Sequence, residues 1–174
     1  MKKLFLFIIV SLMFVMSACG YHQITTNQSL PQHIRVIAIP TFQNPSLHYK
    51  VEQRFTHAVV DEFLRRGKSI TIVPEPKDAD AVLTGTIKSF QLRNAVLDQT
   101  GRNRVFEIRI ITGVTLRDLK TNKVIYDNQK IEFHGEYALS DDPTSFFNED
   151  NPAVDRIARE FAQSLVSTLL LGLG

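Results

Sequence analysis

The stretch RVFEIRIITGVTLRDL, residues 104–119, decides the fold, because its apolar and polar side chains alternate along most of its length. One face carries the apolar members, which are Phe106, Ile108, Ile110, Val114 and Leu116. The opposite face carries the polar members, which are Glu107, Arg109, Thr115 and Arg117. A period of two is typical of an antiparallel β-strand with one face on a core and the other against water or a partner.

Further strands are predicted around this central one. A short turn leads into KVIYDNQKIEFHGEY, residues 123–137, so the two stretches form a hairpin. Upstream, DADAVLTGTIKSFQLRN, residues 78–94, predicts a long strand in which Gly85 marks a bulge or a close backbone approach. Shorter strands that end at prolines are predicted in HIRVIAIP, residues 33–40, and SITIVPEP, residues 69–76.

Two amphipathic helices are predicted where apolar side chains recur at helical spacing. The first stripe consists of Leu47, Val51, Phe55, Val59 and Phe63. Gly67 follows this stripe as a C-cap. The second stripe consists of Val154, Ile157, Ala158, Phe161, Leu165 and Leu169. It starts after Asn151 and Pro152, which suit the N-cap and the first helical position.

This order of elements predicts an α+β fold. The simplest arrangement that covers both helical stripes is a two-layer sandwich, in which two helices pack on one face of a mixed, mainly antiparallel sheet of four to five strands. We expect residues 34–174 to form this single α/β domain, since the sequence shows no repeat and no second-domain boundary.

The N-terminal segment has the layout of a secretory signal peptide over residues 1–18. Two lysines precede an apolar run, and the small residues Ser17 and Ala18 follow it. The run is shorter than the roughly 20 apolar residues that a spanning helix needs. Cys19, the only cysteine in the chain, stands directly at the expected cleavage point. A single cysteine in a secreted protein can form an intermolecular disulfide, remain a free thiol or be chemically modified.

The residues before Cys19 favour modification. Met16-Ser17-Ala18-Cys19 resembles a bacterial lipobox, with Met16 where the pattern prefers leucine. The resemblance implies a diacylglycerol and an N-acyl chain on Cys19 and no other cofactor. It also implies a lipidated tether over residues 19–33, and Gly20 in place of aspartate implies the outer membrane, on its periplasmic side. The alternative is an ordinary secretory signal whose cleavage falls near a buried cysteine.

Charge and motifs exclude several function classes. The chain has 20 Lys+Arg and 18 Asp+Glu, and removal of Lys2 and Lys3 with the signal leaves 18 of each. Without a basic excess, non-specific nucleic-acid binding is not predicted. The five histidines have no metal-binding spacing, and the acidic group lacks the calcium-loop pattern; its members are Asp141, Asp142, Glu149, Asp150 and Asp155. No phosphate loop or nucleophile motif is present, so we expect neither a metal site nor an enzyme.

A basic cluster near the tip of the long hairpin is the candidate binding site. Its members are Lys88, Arg93, Arg102, Arg104 and Arg109. Arginine forms paired hydrogen bonds to phosphate and carboxylate groups, so the cluster is able to bind either. The alternative is a solvated strand surface whose charges prevent edge-to-edge aggregation.

The order of several stretches resembles that of the lipopolysaccharide-assembly lipoprotein family (LptE-like). These stretches are CGYH, IAIPTFQNPS, AVLTGTIKSFQL and VTLRDLKTNKVIYD. The resemblance covers nearly the whole chain after the signal peptide. It implies a non-enzymatic partner of a large outer-membrane β-barrel, the lipopolysaccharide translocon. Such a partner sits in the barrel lumen, aids its folding and contacts lipopolysaccharide on its way to the outer leaflet, here with the basic cluster facing the phosphorylated groups.

Two other function classes remain open at this stage. A strand that ends in IAIPTFQN is also similar to the start of periplasmic lipoproteins that activate cell-wall synthases or form secretion channels. A synthase activator needs a longer tether than residues 20–33 provide. A lipid-anchored hydrolase is the third class, and no nucleophile and base can be named for it.

The lipobox predicts that Cys19→Ala abolishes fatty-acid labelling of the chain, because the substitution removes the only acyl-accepting sulfur. Metabolic labelling with a radioactive or clickable fatty acid measures this. Labelling that persists in the variant would contradict the anchor.

Overall fold

In the computed structural model, the structure describes residues 30–46, 48, 50–97, 103–138 and 152–172. The predicted signal peptide, Cys19 and most of the tether lie outside these residues, as do Leu47 and Asn151. In chain order the elements are β1 (Val36–Ala38), α1 (Val51–Arg66), β2 (Thr71–Val73), β3 (Ala81–Leu97), β4 (Asn103–Asp118), β5 (Val124–Ala138) and α2 (Pro152–Leu171).

The strands form one five-stranded sheet in the order β2-β1-β3-β4-β5. β1 pairs in parallel with β2 and β3, while β3, β4 and β5 form a long antiparallel meander. Both helices lie on one face of this mixed sheet, so the predicted α+β two-layer fold is confirmed.

The two helices run parallel to each other and bury the predicted stripes. Arg54 in α1 donates to the Asp155 carboxylate at the start of α2 over 2.7 Å, and Arg66 at the end of α1 donates to the Ser167 hydroxyl near the end of α2. Phe161 is fully buried at the centre of the helix–sheet interface. Its ring centroid lies 5.0 Å from that of Phe55, 5.9 Å from Phe133 and 6.3 Å from Phe42. Aromatic pairs at such distances stabilise a core beyond the area that they bury.

Two glycines have structural roles that the sequence described only in part. A Cβ on Gly85 would lie 2.4 Å from the Phe42 ring, so Gly85 marks a close approach and not a bulge. The nearest bulge in β3 lies between Ile87 and Ser89. Gly67 does end α1, but its φ is −88°, outside the left-handed region of a common glycine cap. Glycine fits there because a Cβ would lie 2.8 Å from the Phe63 carbonyl oxygen.

Two carboxylates, those of Asp80 and Asp118, connect chain segments at the end of the sheet at which the chain enters. Asp80 accepts the backbone N–H groups of Arg35 and Val36 at 2.9 and 3.0 Å, and its other oxygen lies 2.6 Å from Lys120 Nζ. Asp118 lies 2.9 Å from His33 Nε2 and accepts the N–H of Lys120 at 2.8 Å. These contacts join the segment before β1, the start of β3 and the β4–β5 turn.

The same contacts lower the pKa values of both carboxyl groups. The Lys120 ammonium and the backbone N–H groups of Arg35 and Val36 hold the pKa of Asp80 well below its usual range. Burial alone would raise the pKa of Asp118, but hydrogen bonds from Thr121, Lys120 and His33 outweigh it and lower that pKa from 3.8 to about 2.

Asp118 therefore stabilises the fold only while it is ionised. A depressed folded-state pKa contributes stability above the unfolded value and loses it as the pH falls. We expect Asp118→Asn to lower the free energy of unfolding most above about pH 4, with the gap narrowing towards pH 2. Urea unfolding of the wild-type protein and of the variant between about pH 2 and pH 7 tests this expectation. A difference in free energy of unfolding that does not change with pH would contradict the role of the ionised Asp118.

Candidate functional site: the open face of the sheet

The candidate site is the face of the meander that points away from the helices, here called the open face. Cross-strand register places Thr84 of β3 beside Thr115 of β4 and Asp127 of β5 on this face. Farther along, Arg93 lies opposite Glu107, which lies opposite Glu136. Because successive side chains of a strand point to opposite faces, the apolar residues between these positions point to the helices. The open face is therefore mainly polar, with Val82 and Ile111 as apolar exceptions.

A hydrogen-bonded network occupies the middle of the open face. The Thr115 hydroxyl donates to Asp127 Oδ1 over 2.7 Å, and Gln129 Nε2 donates to the Thr115 hydroxyl over 3.0 Å. Gln129 also donates to Asp127. The bonds from Thr115 and then Gln129, with the nearby Lys88 charge, lower the pKa of Asp127. The Asp127 carboxylate is thus already hydrogen-bonded within the open face.

Lys88 lies across this network because β3 and β4 make room for it. A Cβ on Gly113 would lie 2.7 Å from Lys88 Cε and 2.8 Å from Gln129 Oε1. The bulge after Ile87 leaves Lys88 without a direct cross-strand partner. Its side chain therefore crosses the bare backbone of Gly113, with its ammonium group at the surface.

The two described arginines of the predicted cluster face carboxylates. Arg109 forms an ion pair with Glu132, which also lies 3.7 Å from His134 Nδ1. Arg93 is exposed, contacts Gln91 at 3.5 Å, and lies opposite Glu107 in the register. The structure thus brings Lys88, Arg93 and Arg109 onto one face, but it intersperses them with acids.

The other two members of the predicted cluster are only partly placed. Arg104 lies in β4, with its side chain outside the described part of the structure, and Arg102 lies outside it altogether. The sequence alone did not reveal that Glu132 pairs with Arg109 or that Asp127 lies near Lys88. The alternation of polar residues along each strand can be read from the sequence, but the register that places one strand beside the next cannot.

Metal binding finds no support on the described surface. Among residues 30–46, 48, 50–97, 103–138 and 152–172, no three His, Cys, Asp or Glu side chains are grouped so as to hold a metal ion. Asp155, from the acidic group, is bound to Arg54, and the other members lie outside the described residues. Over the same ranges, neither helix combines the length and apolar character needed to cross a bilayer.

The fold is shared with several solved bacterial proteins, some of which are lipoproteins. A putative lipoprotein from Caulobacter crescentus has a TM-score of 0.50 and 15% identity over 75% of this chain and 88% of its own. Lipoprotein B from Nitrosomonas europaea has a TM-score of 0.52 and 15% identity over 81% and 84%. PelC from Paraburkholderia phytofirmans, which forms a dodecamer, has a TM-score of 0.53 and 13% identity over 83% and 94%. At such identities the likeness shows the fold alone.

The fold and the open face define a small two-layer α+β domain of the kind found in bacterial envelope lipoproteins. The family model of lipopolysaccharide-assembly proteins (LptE) matches residues 34–169. The chain belongs to this family, a family of non-enzymatic assembly lipoproteins. A search of curated protein sequences gave no match.

Proposed function

We propose that this chain is a non-enzymatic outer-membrane lipoprotein that binds inside a large β-barrel lipopolysaccharide translocon. In this role it aids the folding of the barrel and the insertion of lipopolysaccharide into the outer leaflet. Cys19, with its diacylglycerol and N-acyl chain, holds it on the periplasmic side of the membrane. Membership in the lipopolysaccharide-assembly family supports the general role.

The observation that carries the proposal is the uncovered, polar open face. A sheet buried on only one side normally leaves the other side to water, and here that side presents hydroxyls, amides and paired charges. The interior of a wide membrane barrel is also polar and water-filled. A surface of this kind fits such a lumen without the cost of burying unpaired charges, because its ions already have partners.

Lipopolysaccharide contact is assigned to Lys88, Arg93, Arg102, Arg104 and Arg109. Lys88 and Arg93 are exposed on β3, and Arg109 is partly exposed beside Glu132. Cations held next to acids are able to exchange partners when a more highly charged phosphate group arrives. The interspersed acids also limit tight binding to other anions, which suits a surface that must release its cargo.

Recovery of the barrel in a stable complex tests the proposed function. The tagged, lipidated chain is purified from detergent-solubilised outer membranes, and bound proteins are identified and quantified by mass spectrometry. We expect one large β-barrel protein in stoichiometric amount. Recovery of a cell-wall synthase, or of no barrel, would instead favour a regulatory or secretion-accessory lipoprotein.

The open face is tested in the same experiment by Thr84→Arg, with Gln163→Arg on the exposed side of α2 as the matched control. The new arginine at residue 84 adds bulk and an unpaired charge to the open face, near the start of β3. We expect the recovered barrel to fall about tenfold, equivalent to about 1.4 kcal/mol. Equal loss in both variants would argue against the open face as the contact.

Lipopolysaccharide binding is expected to weaken when Arg93, Arg102 and Arg104 are changed together to Glu. Each lost charge-assisted hydrogen bond accounts for about 1.5–3 kcal/mol, so the affinity should fall at least about tenfold. Binding of purified lipopolysaccharide measures it, with circular dichroism as the check on folding. The control changes Lys77 and Arg159, which are exposed outside the open face, to Glu. Unchanged affinity in the first variant would show that these arginines are ordinary surface charges with no role in lipopolysaccharide binding.

A further inference from the structure

The end of the domain at which the chain enters, here called the basal end, carries exposed apolar side chains. It comprises residues 30–35, the β4–β5 turn at residues 119–123, and the C-terminal ends of the helices. Among the described residues the well-exposed large apolar side chains are Leu64, Leu119, Val124 and Leu171, with exposures of 63%, 39%, 47% and 56%. All of them lie in or beside these segments.

Several contacts show that these segments share one end. His33, just before β1, lies 2.9 Å from Asp118 at the start of the β4–β5 turn. Arg66, which ends α1, donates to Ser167 near the end of α2. Leu170, beside Leu171, lines a pocket together with Leu30 and Ile70. The apolar side chains of the turn and of the α2 end are therefore found where the N-terminal segment leaves the domain.

The charges around these apolar side chains are mainly positive at the surface. Lys68 and Lys123 are exposed near Leu64 and Val124 in the sequence. Of the nearby acids, Glu62 binds Arg65 and Arg66, and Asp80 binds Lys120, whereas Asp61 and Asp78 are exposed. Exposed leucines beside lysines are the composition that binds at the headgroup boundary of an anionic bilayer.

The length of chain between Cys19 and the domain limits how far the basal end can lie from the membrane. Only residues 20–29 separate Cys19 from Leu30, the first described residue. In any conformation this segment reaches at most about 40 Å, since a fully extended chain gains about 3.6 Å per residue. That reach is shorter than the 16-residue strand β4, which extends about 53 Å at about 3.3 Å per residue. A lipid on Cys19 therefore limits the basal end to within about 40 Å of the bilayer, a closer limit than it sets for the far end.

We propose that the basal end docks on the anionic headgroup surface of the membrane that holds the acyl chains of Cys19. Leu119, Val124 and Leu171 enter the headgroup region, and Lys68 and Lys123 bind lipid phosphates. This docking rests on the Cys19 anchor of the proposed function and not on the lipopolysaccharide step. It fixes the tilt of the domain relative to the plane of the membrane.

The test measures how close the basal end lies to lipid. The full lipidated chain is placed in vesicles of phosphatidylethanolamine and phosphatidylglycerol that contain a spin-labelled headgroup lipid. Because acylation consumes the thiol of Cys19, a fluorophore on Thr121→Cys reports on the basal end alone. The matched control carries the same fluorophore on Gln91→Cys, exposed on the open face of β3. Acylation is verified first by intact mass, so a failed anchor and a failed docking give different results.

We expect quenching at residue 121 to exceed that at residue 91 severalfold. It should fall to the level of residue 91 when Leu119→Ser and Val124→Ser are added. The charge variant Lys68→Gln with Lys123→Gln should also reduce quenching, whereas Lys130→Gln with Arg159→Gln should not. Circular dichroism checks that each variant is folded.

Two results would overturn the proposal. The first is equal quenching at residues 121 and 91 in the acylated chain. The second is protection of the residue 121 fluorophore from aqueous iodide only when the barrel partner is added, without quenching by lipid. The second result would assign the basal end to a protein contact.

Discussion

One-sided burial of a long sheet is the constraint on which the rest of this structure depends. The apolar faces of β3, β4 and β5 all turn to the same side, and α1 and α2 cover them through Phe55 and Phe161. Each fully buried side chain of this kind contributes about 1.5–3 kcal/mol, so the single layer of helices is enough to hold the sheet. With its apolar residues committed to that side, the sheet leaves a polar face uncovered.

The open face presents polar groups that are already bonded to one another. Its ions and hydroxyls are bonded to each other before any partner arrives, as Arg109 is to Glu132 and Thr115 is to Asp127. A surface whose polar groups are already satisfied resists aggregation, yet it can exchange those bonds for contacts of the same kind. This is the behaviour required of an assembly protein, whose family membership the sequence match establishes.

The two ends of the domain differ in amino-acid composition, so the domain is asymmetric along its strands. The basal end combines Leu119 and Val124 with lysines and with the carboxylate contacts of Asp80 and Asp118. The opposite end carries the β3–β4 connection, with Arg93 near it in β3. The proposed membrane docking and the proposed lipopolysaccharide contact thus involve different regions of one small domain.

The sequence by itself determined the elements and the faces that they bury. Alternation in residues 104–119 and the stripe through Phe161 depend only on neighbours along the chain, and both predictions are confirmed. Pro152 begins α2, as the capping pattern predicted. The sequence left Gly85 open between a bulge and a close approach, because the Phe42 ring that decides it comes from a distant segment. Tertiary structure alone decided the pairing of Arg109 with Glu132 and the bulge that places Lys88 over Gly113. The reason is physical: periodicity is a local property of the chain, whereas register is set when whole strands pack together.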